Sequence, residues 1–283
     1  MNHRPANHQP AAPRLALDAV SATYVEDGQT LDALDRVSFS VADGELVALI
    51  GPSGCGKSTL LDIIAGLYDA TAGHVHLDGT PTRTADRLGR TAYMRQRDLL
   101  LPWRTALDNA ALALEVHGAS RRSARAQAAA RFAEFGLGGF ERAYPAQLSG
   151  GMRQRVAFLR TVLAERPLLL LDEPFGALDA LSRVAMQAWL LDRWETAPQT
   201  TPQAARQAIL LVTHDVDEAV FLADRVVVLT PRPGSIAHVE TIDLPRPRVR
   251  GLVTSPAFLA HRAALLTALG VIESAATPVG AAR

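Results

Sequence analysis

Glu45-Leu-Val-Ala-Leu-Ile50 runs straight into Gly51-Pro52-Ser53-Gly54-Cys55-Gly56-Lys57-Ser58-Thr59, and helix-compatible apolar spacing continues from Ser58 to Leu67. This is the strand, glycine-rich loop and helix that a phosphate-binding loop requires. Glycines let successive backbone N–H groups curl around an anion, and the helix that follows offers its positive end. Lys57 is the only lysine in the chain, against 28 arginines. A planar guanidinium suits surfaces and ion pairs, whereas a compact ammonium on a flexible stem can reach between two phosphates as a point charge. The exception therefore points to nucleotide chemistry. Gly51 through Thr59 are the candidate nucleotide-binding residues, with Lys57 on the β- and γ-phosphates and the Ser58 hydroxyl on Mg²⁺. Cys55, the single cysteine, is either a small filler of the loop or a redox-responsive thiol.

The 283 residues are 48% hydrophobic, enough for a sizeable core, and 29 acidic residues balance 29 basic ones. No global field draws in nucleic acid, so no nucleic-acid partner is expected. The longest apolar runs fall far short of the roughly 20 residues a membrane-spanning helix needs. Residues 1–13 are polar and Pro-rich without an apolar centre, unlike a secretory signal, and we expect a flexible tail there and a cytoplasmic location.

Apolar alternation predicts strands over Leu15–Tyr24, Val37–Val41 and Glu45–Ile50, with turns at Asp27-Gly28 and Asp43-Gly44. An N-terminal antiparallel β subdomain follows. Residues 105–135 change to Ala-rich, Arg-studded helical sequence, placing an inserted helical subdomain at about 97–165. Leu168–Leu171 and Ala208–Thr213 read as fully buried strands with a helix over Leu178–Trp194 between them, so a mostly parallel α/β sheet is the economical core. We bound the main domain at 14–244. Residues 196–207 read as a loop without chemistry, and 245–283 as a tail with a short helix near Pro256–Leu269. Arg246, Arg248 and Arg250, alternating with prolines and other residues, read as part of that solvated tail, with a lipid or nucleic-acid patch as the competing reading.

Asp172 and Glu173 close the run of four leucines, which puts two carboxylates at the end of a buried strand. One can hold a metal-bound water and the other can take a proton from the water that attacks a γ-phosphate, a role that contributes about 10²- to 10⁴-fold in rate.

Leu148-Ser149-Gly150-Gly151-Met152, about twenty positions before Asp172, resembles the signature of ATP-binding-cassette (ABC) ATPases in four of five positions. The family usually has Gln where Met152 stands. The resemblance spans about Leu15–Leu244 and implies a P-loop NTPase fold, ATP and Mg²⁺ as ligands, and a head-to-tail dimer. In that dimer Ser149, Gly150 and Gly151 of one copy close on ATP held by Lys57 of the other. It also implies roles residue by residue. Gln96 resembles the Q-loop glutamine that touches Mg²⁺ or the attacking water, and His214 the switch histidine. Gly176-Ala177-Leu178-Asp179 resembles the D-loop linking the two nucleotide sites. Asp172 and Ser58 fall at the metal positions and Glu173 at the catalytic base. Tyr24 stands where the family stacks an aromatic on adenine, with a packed core tyrosine as the competing reading.

Residues 97–104 and Asp172–Ala180 resemble, at subfamily level, bacterial importers for nitrate, aliphatic sulfonates, taurine and thiamine pyrimidines. That resemblance implies a separate transmembrane permease, a solute-binding protein acting on it, and a peripheral place on the cytoplasmic face of the membrane. The alternative is a soluble ABC ATPase with a regulatory or nucleic-acid-associated role and no permease. The apolar run Leu99-Leu100-Leu101-Pro102-Trp103 either lines a groove for the permease or packs the helical subdomain.

Overall fold

The computed structural model describes residues 12–26, 28–196 and 207–272. Most of the Thr196–Gln207 loop, the first eleven residues and the last eleven fall outside them. The chain opens with β1 (Leu15–Glu26) and β2 (Gln29–Val37), an antiparallel hairpin, then β3 (Ser40–Val41) and β4 (Leu46–Ile50). Helix α1 (Lys57–Ala65) precedes β5 (Ala72–Leu77), β6 (Thr80–Thr82), the single turn α2 (Thr84–Arg87) and β7 (Thr91–Met94). Next come α3 (Ala106–Val116), α4 (Arg121–Ala129) and α5 (Gly150–Val162), then β8 (Leu168–Asp172) and α6 (Ala180–Glu195). The rest is β9 (Ala208–Val212), α7 (Val216–Leu222), β10 (Arg225–Leu229), β11 (Ile236–Thr241) and α8 (Pro256–Ala268).

Two sheets organise these elements. The first, in order β2-β1-β5-β6 with β3 on β1, is antiparallel. The second, β11-β10-β4-β9-β8-β7, is parallel except at its β11 edge. Every residue of β4, β8 and β9 is buried, as strands covered on both faces must be. Alternation splits them: Leu46, Ala48 and Ile50 join the core beneath α5, α6 and α7, while Val47 and Leu49 join the core shared with α1 and the antiparallel sheet.

The α/β architecture is thus the expected one, with two local differences. Val37–Val41 is not one strand but the last residue of β2 and, after Ser38 and Phe39, the whole of β3. Most of β2 was invisible as a strand because six of its nine residues are exposed, so no apolar period marks it.

Arg246 and Arg248 overturn the solvated-tail reading, while Arg250 is exposed. Arg248 is buried, and its Nη1 donates to the carbonyls of Val220 (3.1 Å), Phe221 (3.2 Å) and Ala223 (2.6 Å), with Nη2 on Ile242 O at 3.3 Å. A guanidinium there satisfies the free carbonyls at the end of α7 and meets the negative end of its dipole. Burial, reinforced by Arg246, pushes Arg248 down to about 10, still charged at neutral pH. Arg246 pairs with Glu195 (2.8 Å) and Asp224 (2.7 Å) and lies over the Trp194 ring at 4.4 Å. Proline spacing resembles a linker, but the extended backbone it imposes lets these side chains reach carbonyls distant in sequence.

Helix α8 docks through Phe258 and Leu265, both fully buried, and through His261, which bridges Glu240 and Asp243 at 2.7 Å each. Glu240 also meets His238 at 2.9 Å, and Arg262 meets Asp217 at 2.8 Å. Burial alone would lower the His261 pKa, but the hydrogen bonds to Glu240 and Asp243 and their charges outweigh it and raise it. A raised histidine pKa stabilises the fold fully below the unfolded value near 6.5 and loses that contribution as pH rises through the folded one. Glu240 and Asp243, held below their ordinary values, lose theirs as pH falls. The stability gap between wild type and His261→Leu should therefore be widest near pH 5.5, at about 1 to 3 kcal/mol, and shrink toward pH 9. Urea unfolding across that range checks it, and a gap that widens with pH would refute it.

Candidate nucleotide site

Four neighbouring strands deliver the site at their C-terminal edge, where ligands of parallel α/β sheets bind. β4 feeds the phosphate-binding loop, β7 leads to Gln96, β8 ends in Asp172 and Glu173, and β9 leads to His214.

In the loop, Pro52, Ser53, Gly54 and Ser58 are exposed, Gly51, Gly56 and Thr59 are half-buried, and Cys55 and Lys57 are buried. Gly56 lies at φ 99°, and a Cβ there would sit 2.6 Å from Leu34 Cδ2 and 2.7 Å from Ala33 O. Only glycine fits this junction. Lys57 Nζ donates to Gly51 O at 2.8 Å and Pro52 O at 2.9 Å, with Cys55 Sγ at 3.6 Å. The ammonium is thus held inside the loop's own curve. Cys55 is almost fully buried beneath it, where a small side chain is needed.

Asp172 is 3% exposed. Burial raises its pKa, helped by the charges of Glu173 and Asp62 and opposed by a hydrogen bond from Ser58 and by Lys57. A carboxylate and a hydroxyl placed together are hard oxygen donors of the kind Mg²⁺ takes. No cluster of three or more His, Cys, Asp or Glu side chains suited to a metal exists among the described residues.

Glu173 is the centre of the catalytic candidates. Its Oε2 accepts from Gln96 Nε2 at 3.2 Å and lies 3.3 Å from His214 Nδ1. Three residues separated by 77 and 41 positions in sequence thus meet on one oxygen. The Glu173 backbone is at φ 48°, a left-handed conformation that costs a non-glycine residue about 1 to 2 kcal/mol. Hydrogen bonds hold it there. Its N–H donates to Val212 O at 2.9 Å, and its carbonyl accepts from Gly176 N at 3.1 Å and Gln154 Nε2 at 3.3 Å.

Gln154 escaped the sequence reading. It lies on α5, is 5% exposed, and also donates to Pro174 O at 3.2 Å. Below it, Phe158 of the same helix packs edge-on against Phe175, ring centres 5.7 Å apart. Arg153 and Arg160, also missed, tie α5 to the segment after Gln96: Arg153 Nε reaches Asp98 Oδ2 at 3.1 Å, and Arg160 reaches Asp98 O at 2.7 Å and Leu99 O at 3.0 Å. The signal available was a buried polar position on the helix face that carries Phe158 inward, two residues from a motif already noted.

Ser149 caps α5, its Oγ accepting from Met152 N at 3.2 Å, and both Ser149 and Gly150 are exposed. Gly151 packs against Ala177 and Leu178, since a Cβ there would stand 3.4 Å from Ala177 O and 3.5 Å from Leu178 Cδ2. Met152 is partly buried against the core. Asp179 caps α6, accepting from Ser182 N at 2.9 Å, and bonds from Ser182 keep its pKa low. The described contacts of Ser149 and Asp179 are with their own helices, not with Lys57 or Glu173. Tyr24 is half-buried and meets Tyr68 edge-on, ring centres 6.3 Å apart. In the apolar run after Gln96, Leu100 packs into the core while Leu99 and Trp103 are 53% and 72% exposed, so the packing reading holds for Leu100 and not for those two.

A parallel sheet whose central strand enters a glycine-rich loop and helix, with a buried aspartate two strands away, defines a P-loop NTPase. The family model described as ABC transporter matches residues 34–176. An uncharacterized ABC transporter ATP-binding protein of Methanocaldococcus jannaschii is 44% identical over 90% of this chain and 91% of its own length. A taurine import ATP-binding protein of Burkholderia pseudomallei is 40% identical over 90% of this chain and 96% of its own. A formylaminopyrimidine import ATP-binding protein of Halalkalibacterium halodurans is 42% identical over 77% and 80%. A bacterial ABC transporter cassette solved as a dimer superposes with TM-score 0.72 at 30% identity, covering 82% of this chain and all of that one, and the same cassette is known in a post-hydrolysis state with ADP and Pi. The chain belongs to the ABC transporter family and is one of its ATP-binding ATPases. No helix among the described residues is long and apolar enough to cross a membrane.

Proposed function

We propose that this chain is the ATP-hydrolysing subunit of an importer, working as a dimer on a separate permease. The observation that carries the catalytic part is the convergence of Gln96 and His214 on Glu173 Oε2. In this reading Lys57 and the loop amides bind the β- and γ-phosphates, and Ser58, Asp172 and Gln96 hold Mg²⁺. The ion, when bound, neutralises phosphate charge and also relieves the repulsion between Asp172 and Glu173. Glu173 takes the proton of the attacking water, while His214 and Gln96 orient that water and sense the γ-phosphate. Tyr24, beside Tyr68 at the edge of the antiparallel sheet, stacks on adenine.

The exposed Ser149-Gly150 turn at the start of α5 is an anion cradle with amides facing outward, which suits ATP held by a second copy. Asp179 follows the D-loop between the two sites. Leu99 and Trp103 offer an aliphatic and an aromatic contact beside Gln96, apt for a permease loop. The relatives named for taurine and formylaminopyrimidine import favour a small sulfonated, nitrogenous or pyrimidine solute delivered by a binding protein. That assembly places the chain on the cytoplasmic face of the membrane through the permease.

The test is uptake. A deletion strain should lose accumulation of one labelled solute among taurine, alkanesulfonates, nitrate and formylaminopyrimidine, and the wild-type chain, recovered with membrane vesicles, should restore it. Unchanged uptake of all four, with the chain absent from membranes, would overturn the importer reading.

A further inference from the structure

The C-terminal segment reaches the catalytic edge through a line of hydrogen bonds inside the protein. Arg250 is exposed, its guanidinium over the Phe221 ring at 4.5 Å, and its Nη2 donates to Gln187 Oε1 at 2.5 Å. Gln187, 3% exposed on α6, donates from Nε2 to Glu218 Oε1 at 2.7 Å. The other oxygen of Glu218 accepts from the Thr213 hydroxyl, and Thr213 Oγ1 in turn accepts from Asp215 N at 3.1 Å. Thr213 and Asp215 bracket His214.

Each member has its bonds along this line, and Gln187, Glu218 and Thr213 are all under 8% exposed. Buried polar groups are costly to leave unpaired, so the line holds a defined geometry. His214 needs such support. Its side chain is 66% exposed, and its described ion pair is the 3.3 Å approach to Glu173. Packing therefore does little to orient the ring, and the backbone on either side must. Asp215 is fixed from a second direction, capping α7 through Asp217 N (2.9 Å) and Glu218 N (3.2 Å), with Arg183 at 3.7 Å.

We propose that Arg250, Gln187, Glu218 and Thr213 form a positioning relay through which the C-terminal segment sets the His214 imidazole against Glu173. The proposal rests on the reading of Glu173 and His214 as partners in ATP hydrolysis. None of the four is a catalytic residue; they act through His214. Arg250 then acts on the catalytic edge from the C-terminal segment without touching the reacting atoms.

The experiment is steady-state ATP hydrolysis by the full chain carrying Arg250→Met, which keeps an unbranched apolar side chain but removes the guanidinium from Gln187 and from the Phe221 ring, or Thr213→Val, which keeps the shape, or both. Each single change should lower kcat about three- to tenfold with KM for ATP within about twofold, the pattern of a lost transition-state interaction. Because one line carries both effects, the double variant should be no slower than the slower single within about twofold. Arg250→Lys, which can still donate to Gln187, should recover most of the loss. Independent losses that multiply, a KM that rises in step, or an unchanged kcat in Arg250→Met would overturn the relay. Should Thr213→Val not fold, the ring ¹³Cε1 resonance of His214 in Arg250→Met decides, moving if the relay acts and staying put if it does not. His214→Ala is the control. If it hydrolyses ATP at the wild-type rate the catalytic reading itself fails, and if it is slow while Arg250→Met is not, only the relay fails.

Discussion

A Glu173→Gln chain is expected to bind ATP and to hydrolyse it about 10²- to 10⁴-fold more slowly than wild type, the range a positioned base contributes. The change is nearly isosteric, and what fixes this residue is mostly backbone. Its left-handed φ of 48° is held by hydrogen bonds from its backbone N–H and carbonyl to Val212 O, Gly176 N and Gln154. The phosphate loop and Asp172 should therefore keep their places. What is lost is a carboxylate able to take a proton, and a neutral amide also removes the like charge beside Asp172. ATP affinity should consequently hold or tighten while the chemical step stalls. If two copies close on ATP, the stalled variant with ATP should elute at twice the monomer mass and return to monomer with ADP. Single-turnover hydrolysis and a nucleotide-binding titration read both halves. Turnover near the wild-type rate would remove Glu173 from its role.

The reach of the sequence can be judged residue by residue. The core strands were legible because burial on both faces demands uninterrupted apolar runs, as in Leu168–Leu171, and the loop was legible because phosphate chemistry restricts it to glycines and one lysine. Gln96, Glu173 and His214 were assignable through resemblance, but their meeting on one oxygen was not, since it depends on the strand order β9-β8-β7. Gln154, Arg153 and Arg160 make contacts across as many as 62 positions, and no local pattern announces such pairs. The C-terminal arginines misled for a related reason. Exposed and buried guanidiniums look alike in a sequence, and three of the four carbonyls that pair with Arg248 become available only at the end of a helix 25 to 28 residues upstream. Strand β2 failed on periodicity alone.

Lys57→Arg should cost ATP affinity at least about tenfold and abolish most hydrolysis although it preserves the charge. Lys57 is 8% exposed and its ammonium converges with Gly51 O and Pro52 O at 2.8 and 2.9 Å, a pocket for one point donor rather than a planar fork. The loop has little slack in which to accommodate the larger group. Cys55 lies beneath it almost fully buried, and Gly56 is already pressed on Leu34 and the Ala33 carbonyl to distances a Cβ could not share. Overpacking of this kind costs about 1 to 3 kcal/mol, which the loop can relieve by opening and so losing the curve of amides that meets the phosphates. The effect should fall on nucleotide binding more than on folding, because β4 and most of α1 are anchored by core residues other than Cys55, the one core side chain that Lys57 Nζ meets. A binding titration beside thermal unfolding separates the two. Full ATPase activity in Lys57→Arg would refute the geometric argument, and wild-type affinity without activity would move the role of Lys57 from binding to the transition state. The wild type supplies its own control: an amine-directed reagent has one side-chain target in the whole sequence, and ATP should protect it.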